Sequence, residues 1–197
     1  MKTTKDNSLH FFTLPFFIVM LFGFLFMTAS CQNRTEKVDS KVSSVKAPEI
    51  DIHTAVITDN LDALKQHIAA GSNLNERDPF GGSSPLISAA VFGKPEAAKI
   101  LIDAGADIDF QNNDGSTALI TAAYFCRPEI VKMLLAKGAN KTIVNKYGAT
   151  AYQSVSIPFA DAKSSYEMMG KMLQPMGLNI DLTYIEKTRP EIAEMVK

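Results

Sequence analysis

Asn112-Asn113-Asp114-Gly115-Ser116-Thr117-Ala118-Leu119, then Ala122-Ala123, then Glu129-Ile130-Val131-Lys132-Met133-Leu134-Leu135 and Gly138-Ala139-Asn140, read together as a turn, two short helices and a stop. Thr117 suits a helix N-cap, because its hydroxyl can accept from backbone N–H groups that the first turn leaves unpaired. The Ala122-Ala123 pair keeps one face of the first helix small, so that a neighbouring helix can approach closely. Ile130, Val131, Met133, Leu134 and Leu135 give the second helix a broad apolar face. Gly138 falls where a helix must end in a left-handed residue, a conformation open to glycine at no steric cost.

The same phrase recurs outward in both directions. Gly82, Gly115 and Gly148 are spaced by 33 residues, as are Leu86 and Leu119, and Gly105 and Gly138. Lys65, Lys99, Lys132 and Lys171 fall at spacings of 34, 33 and 39. The copy before carries Ser84-Pro85-Leu86, Ala89-Ala90 and Gly105-Ala106-Asp107-Ile108-Asp109. Pro85 suits the first helical position, where its missing N–H is no loss. An earlier copy runs from Ile52-His53-Thr54-Ala55 to Gly71-Ser72-Asn73-Leu74-Asn75, and a later one from Gly148-Ala149-Thr150-Ala151 to Gly177-Leu178-Asn179-Ile180-Asp181. One such unit cannot bury both its faces, but a stack of them can.

Residues 50–181 resemble ankyrin repeats, whose pattern of turn, Thr-Pro-Leu-His, Ala-Ala, Glu-Ile-Val-Lys-x-Leu-Leu and Gly-Ala-Asp these copies follow in phase. The resemblance implies an all-α solenoid of about four helix-turn-helix repeats with short β-hairpin or loop tips. The expected repeats are 49–77, 78–111, 112–144 and 145–181, with 182–197 as a C-terminal cap. A residue inserted around Asp78-Pro79-Phe80-Gly81 enlarges one tip, and about six extra residues within 156–165 lengthen the loop of the fourth repeat. Thr188 and Glu191 have the spacing of a capping box, which predicts a short final helix there.

The first 48 residues have a different character. Lys2 and Lys5 precede an uncharged stretch from Phe11 to Met27, and Thr28-Ala29-Ser30 leads to Cys31. A positive head, an apolar middle and a small-residue cleavage site describe a signal peptide over 1–30. Thr28-Ala29-Ser30-Cys31 resembles the lipobox of bacterial lipoproteins, although Thr28 stands where Leu is usual. That resemblance implies lipidation of Cys31; ordinary secretion and an uncleaved anchor are the alternatives. Residues 31–48 then carry the lipid and, from Gln32, a polar segment too poor in apolar residues to fold alone, hence a flexible tether. Gln32, in place of the Asp tied to inner-membrane retention, leans towards the outer membrane, facing the periplasm or the cell surface.

Composition narrows the function. The formal net charge of the 197 residues is -1, which provides no field to attract nucleic acid. The three histidines are His10, His53 and His67, and no metal-binding, nucleophile-elbow or phosphate-loop pattern occurs. His53 stands where ankyrin repeats place a locally hydrogen-bonded His. Asp107, Asp109, Asn112, Asn113 and Asp114 are rich in oxygen ligands but miss the calcium-loop spacing, so they read as a solvated tip. The chain therefore reads as a non-enzyme without catalytic residues, metal or cofactor, and as a monomer that binds another protein, as scaffold, inhibitor or protector in the cell envelope. A secreted effector is a second reading. A third is a redox-responsive accessory to an envelope enzyme through Cys126, whose thiol stands beside Arg127.

The ankyrin resemblance also places the partner surface. Its tips map to Pro79-Phe80, Asn113-Asp114 and Lys146-Tyr147, and its exposed inner-helix positions to Val91-Phe92 and Tyr124-Phe125. Aromatic side chains are frequent interface anchors, and Phe80, Phe92, Tyr124, Phe125 and Tyr147 are expected to form a ribbon of them.

Overall fold

The computed structural model describes residues 45–197. The expected signal peptide, Cys31 and all but the last residues of the tether lie outside the described residues. Four short helices form an inner row: α1 (Ile52–Ile57), α3 (Pro85–Phe92), α5 (Ala118–Tyr124) and α7 (Ala151–Ser156). Three more, α2 (Leu61–Ala69), α4 (Pro95–Asp103) and α6 (Pro128–Ala136), each return antiparallel and form an outer row. The chain ends in α8 (Phe159–Leu173), a 3-10 turn at Gln174–Met176 and α9 (Leu182–Val196).

Local chemistry sets these boundaries. Asp51, Ser84, Thr117 and Thr150 cap the inner helices, each side chain accepting from the N–H three residues on. At Thr150 the bond is reciprocated by Gln153, a complete capping box. Pro85, Pro95 and Pro128 open their helices, at positions where no intrahelical N–H bond is lost. Ala89, Ala90, Ala122 and Ala123 are fully buried, and across them α1, α3, α5 and α7 pack in sequence. Leu64, Leu101, Ile130 and Leu134 seal the gap between the two rows. The tips are tight turns: among the described residues no strand forms, so of the expected β-hairpin or loop tips the loop form is the one present.

The fourth pair departs from the spacing. The segment that packs against α6 and α7, as α6 packs against α4 and α5, is α9 and not the helix ahead of Gly177. The sequence of α9 explains this. Arg189-Pro190-Glu191-Ile192 repeats Arg127-Pro128-Glu129-Ile130 of α6 and continues with Met195 where α6 has Met133. Thr117 to Thr150 is 33 residues whereas Arg127 to Arg189 is 62, so 29 extra residues separate the inner and outer helices of this pair. They contain α8, of whose 15 residues Ala162 and Tyr166 are buried. The extra chain is thus much longer than the six residues expected. The final helix also begins earlier than predicted: Asp181 is its N-cap, and Thr188 lies buried within it rather than capping it. Pro190 keeps the register of an outer-helix first turn although α9 runs through it.

Candidate functional site

At the tips, one polar side chain organises each turn. Asp78 accepts from the backbone of Phe80, Gly81 and Ser83, Asn112 from Asp114 and Ser116, and Asn145 from Tyr147 and Ala149. Those bonds stabilise the ionised Asp78 and hold its carboxyl below the usual range, although burial pushes the other way and is the larger single influence. Successive tips are joined by the backbone: Asn113 N–H donates to the Gly81 carbonyl at 2.9 Å, and Lys146 N–H to the Asp114 carbonyl at 2.8 Å. Asn75 and Asp109 add side-chain links, accepting from Asp107 N–H and Asn140 N–H, both at 2.9 Å. The oxygens of the acidic run are therefore engaged in part by backbone donors. On this row Phe80 is 86% exposed and Tyr147 76% exposed, and Pro79, Asn113, Asp114 and Lys146 are exposed too.

The inner-helix half of the expected ribbon is placed differently. Phe125 is 2% exposed, so its ring is core and not surface. Tyr124 is half-buried, edge-on to Phe125 and stacked on Tyr166 of α8 with ring centroids 4.5 Å apart. Val91 and Phe92 are half-buried. The five aromatic rings do not form one exposed strip; α8 covers part of it. The sequence signal for this cover is the extra chain in the fourth repeat, which is longer than the six residues expected.

Beneath α8 lies a cluster of polar groups. Tyr166 Oη donates to the Tyr124 carbonyl at 2.6 Å and accepts from Arg189 Nη1 at 2.7 Å, while Arg189 Nη2 donates to the Ile157 carbonyl at 2.6 Å. Burial pushes the Tyr166 phenol well up, against the pull of the Arg189 charge. The two histidines among the described residues are structural: His53 bonds Ser88 Oγ and the Glu76 carbonyl at 3.0 Å each, and His67 bonds Ser72 Oγ and the Ile50 carbonyl at 3.0 and 2.8 Å. Among the described residues no group of His, Cys, Asp and Glu has the geometry to hold a metal ion.

The family profile for three copies of the ankyrin repeat matches residues 52–145. The ankyrin repeat domain of Bcl-3, described as a member of the IkappaB family, superposes with a TM-score of 0.51 over 52% of this chain and 45% of its own, at 26% identity. Residues 52–145 are ankyrin repeats. Human protein phosphatase 1 regulatory subunit 27 is 39% identical over 64 residues, 32% of this chain and 41% of its own length. The human DNA-binding protein RFXANK is 36% identical over 70 residues, 34% of this chain and 27% of its length. The match thus spans less than half of either relative. One is named for regulation of a phosphatase and the other for binding DNA.

Within the ankyrin repeats, Cys126 is not the activated thiol that its neighbour Arg127 suggests. It is fully buried, its Sγ directed at the Ile185 carbonyl at 3.7 Å, and burial pushes the thiol up to about 11, outweighing Arg189 and Arg127. Its backbone is left-handed, φ 51°, at the position where the preceding repeat has Gly93, φ 63°. At Gly93 the Arg127 guanidinium occupies the room a side chain would need: an added Cβ would lie 2.9 Å from Arg127 Nε. Arg127 Nη2 donates from there to the Val91 carbonyl at 3.2 Å, while its buried Nε has no acceptor.

Proposed function

We propose that this chain is a protein-binding module held at the bacterial cell envelope by lipid on Cys31, with residues 32–48 as its tether and the tip row as its reading edge. The observation that carries the binding edge is the pairing of high exposure with fixed backbone: Phe80 and Tyr147 stand out from tips joined by Asn113 N–H to Gly81 and Lys146 N–H to Asp114. Large exposed apolar side chains on an ordered surface are what interfaces are built from. Pro79, Asn113, Asp114 and Lys146 supply the polar and shape-defining surroundings. The role is to scaffold, inhibit or protect another envelope protein, and the regulatory subunit among its relatives makes control of an enzyme by binding one form of it. The redox reading through Cys126 is set aside, because a buried thiol with a raised pKa supplies little thiolate.

The binding edge is tested by Phe80→Ala with Tyr147→Ala. Affinity for the partner recovered by co-purification from envelope extracts should fall by roughly 2 kcal/mol or more per anchor. Unchanged recovery with an intact fold would remove the tips from the interface. The tether is tested by radiolabelled palmitate in cells. Label on the wild type and none on Cys31→Ser is expected; an unlabelled protein in the medium would fit release from the cell instead.

A further inference from the structure

The added helix α8 turns methionines to solvent. Its buried residues are Ala162 and Tyr166, and Gly170 lies close against Ile180. Tyr166 fixes that side of the helix, by stacking on Tyr124 and by its bonds to the Tyr124 carbonyl and Arg189. Met168 and Met172 follow two and six residues later. At about 100° per residue they stand roughly 160° and 120° around the axis from Tyr166. They are 64% and 63% exposed. Met168, Met169, Met172 and Met176 fall within nine residues, and Met168, Met172 and Met176 are the exposed methionines among the described residues. Met133 of α6 and Met195 of α9 are half-buried, as Met169 is.

The spacing places sulfur beside sulfur. Residues three and four apart on a helix have Cβ atoms about 5–6 Å apart. Met172 therefore has Met168 and Met169 one turn behind it, and three flexible unbranched side chains can bring their Sδ atoms to one point. Met176 is eight residues from Met168, about 12 Å along the axis, and falls outside that triangle. A stripe for docking an apolar helix would be broader. Here Asp161, Ser164, Ser165, Lys171 and Gln174 surround the methionines, all polar and exposed. Glu167 and Lys171, four apart, offset each other's charge, so attraction for an ion comes from the sulfur. Thioethers are soft donors, suited to Cu(I) and not to the hard cations that carboxylates hold. We propose that Met168, Met169 and Met172 bind a soft monovalent cation, Cu(I) or Ag(I), on the outer side of α8. Two of the three donors already face solvent, and side-chain rotation alone completes the site. The site depends neither on the tips as a binding edge nor on lipid at Cys31.

The test uses the full chain carrying Cys31→Ser and Cys126→Ser, so that no thiol competes, with isotope-labelled methionine methyls followed by NMR. Silver nitrate should shift the Met168, Met169 and Met172 methyls, saturating at one equivalent, and leave those of Met133 and Met195 in place. Met168→Leu and Met172→Leu, which keep side-chain volume and helix propensity, should each bind about tenfold more weakly while thermal unfolding stays cooperative. Cu(I) supplied without oxygen should reproduce the pattern, and Zn(II) at equal concentration should not. Phe80→Ala with Tyr147→Ala should leave silver binding unchanged, so failure of the tip reading and failure of this one are separable. No saturable shift, shifts spread evenly over every methionine, undiminished affinity in both Leu variants, or the same pattern from Zn(II) would each overturn the assignment.

Discussion

The junction between the second and third repeats and that between the third and fourth use the same outer-helix opening and reach different ends. At the first, Gly93 leaves room, Arg127 folds over it, and α5 and α6 follow each other within one repeat. At the second, Cys126 fills the equivalent room, Arg189 swings to Ile157 and Tyr166, and 29 further residues carrying α8 lie between the paired helices. The two junctions thus differ in the residue at the left-handed position, glycine or cysteine, and in what the arginine holds, a regular joint or an added helix.

The largest expected effect probes the pin. Tyr166→Ala removes a fully buried ring stacked on Tyr124 together with the hydroxyl that links Arg189 to the Tyr124 carbonyl. A loss of about 3 kcal/mol in urea unfolding is expected. Because repeats couple mainly to their neighbours, hydrogen exchange should rise in α8 and α9 well before α1 to α4. Tyr166→Phe should cost less, about 1–2 kcal/mol, by leaving the Tyr124 carbonyl and an Arg189 N–H without their partner. Uniform protection across the chain in either variant would mean that the ring does not hold the added helix.

Exchanging the two seats sharpens the comparison. Gly93→Cys should destabilise by about 2 kcal/mol, since the backbone there has φ 63° and the Cβ meets Arg127. Cys126→Gly should stay within about 1 kcal/mol, because relief of the left-handed strain offsets lost packing. Equal costs for the two would show that the Arg127 seat is irrelevant. The thiol itself provides a pH test. Its folded pKa lies above the unfolded value, so the neutral form is the one the fold favours. Stability from this group is complete below pH 9 and declines as pH rises towards 11. Thiol-reactive probes should label Cys126 at neutral pH only on unfolding, and Cys126→Ser should lose the alkaline decline. At the other end of the molecule, Phe80→Ala and Tyr147→Ala should alter thermal stability by less than about 0.5 kcal/mol, the smallest effect of the set, since both rings face solvent.

Three repeats were legible because each carries its own cap and terminating glycine, and the second and third an alanine pair where the first has Ala55-Val56, signals that act within one turn or one helix pair. The fourth was legible at its start, where Thr150 caps α7, and misleading after it. Gly177-Leu178-Asn179-Ile180-Asp181 imitates the close of a repeat, and Lys171 falls near the expected register. What decides between them is which helix packs on α6 and α7, and that helix is α9, in which Ile192 and Val196 are buried. The kinship of 189–192 with 127–130 is a sequence signal that locates it. The burial of Phe125 and the covering of Tyr124 have no such local signature, because they depend on where a long connection lies down. Tip residues were readable for the opposite reason: Asp78, Asn112 and Asn145 build their turns from bonds within five residues.

The two backbone bonds that run from Asn113 to Gly81 and from Lys146 to Asp114 reach beyond architecture. Neighbouring loops that hold hands cannot wander independently, so Phe80 and Tyr147 keep a fixed separation, like marks on a ruler. For the proposed tip edge, a binding protein would meet edges already set at their working distance and would lose little disorder in fastening to both. On that proposal target choice becomes a matter of matching a span as well as a chemistry, and lengthening any one loop should weaken recognition at the next without touching it.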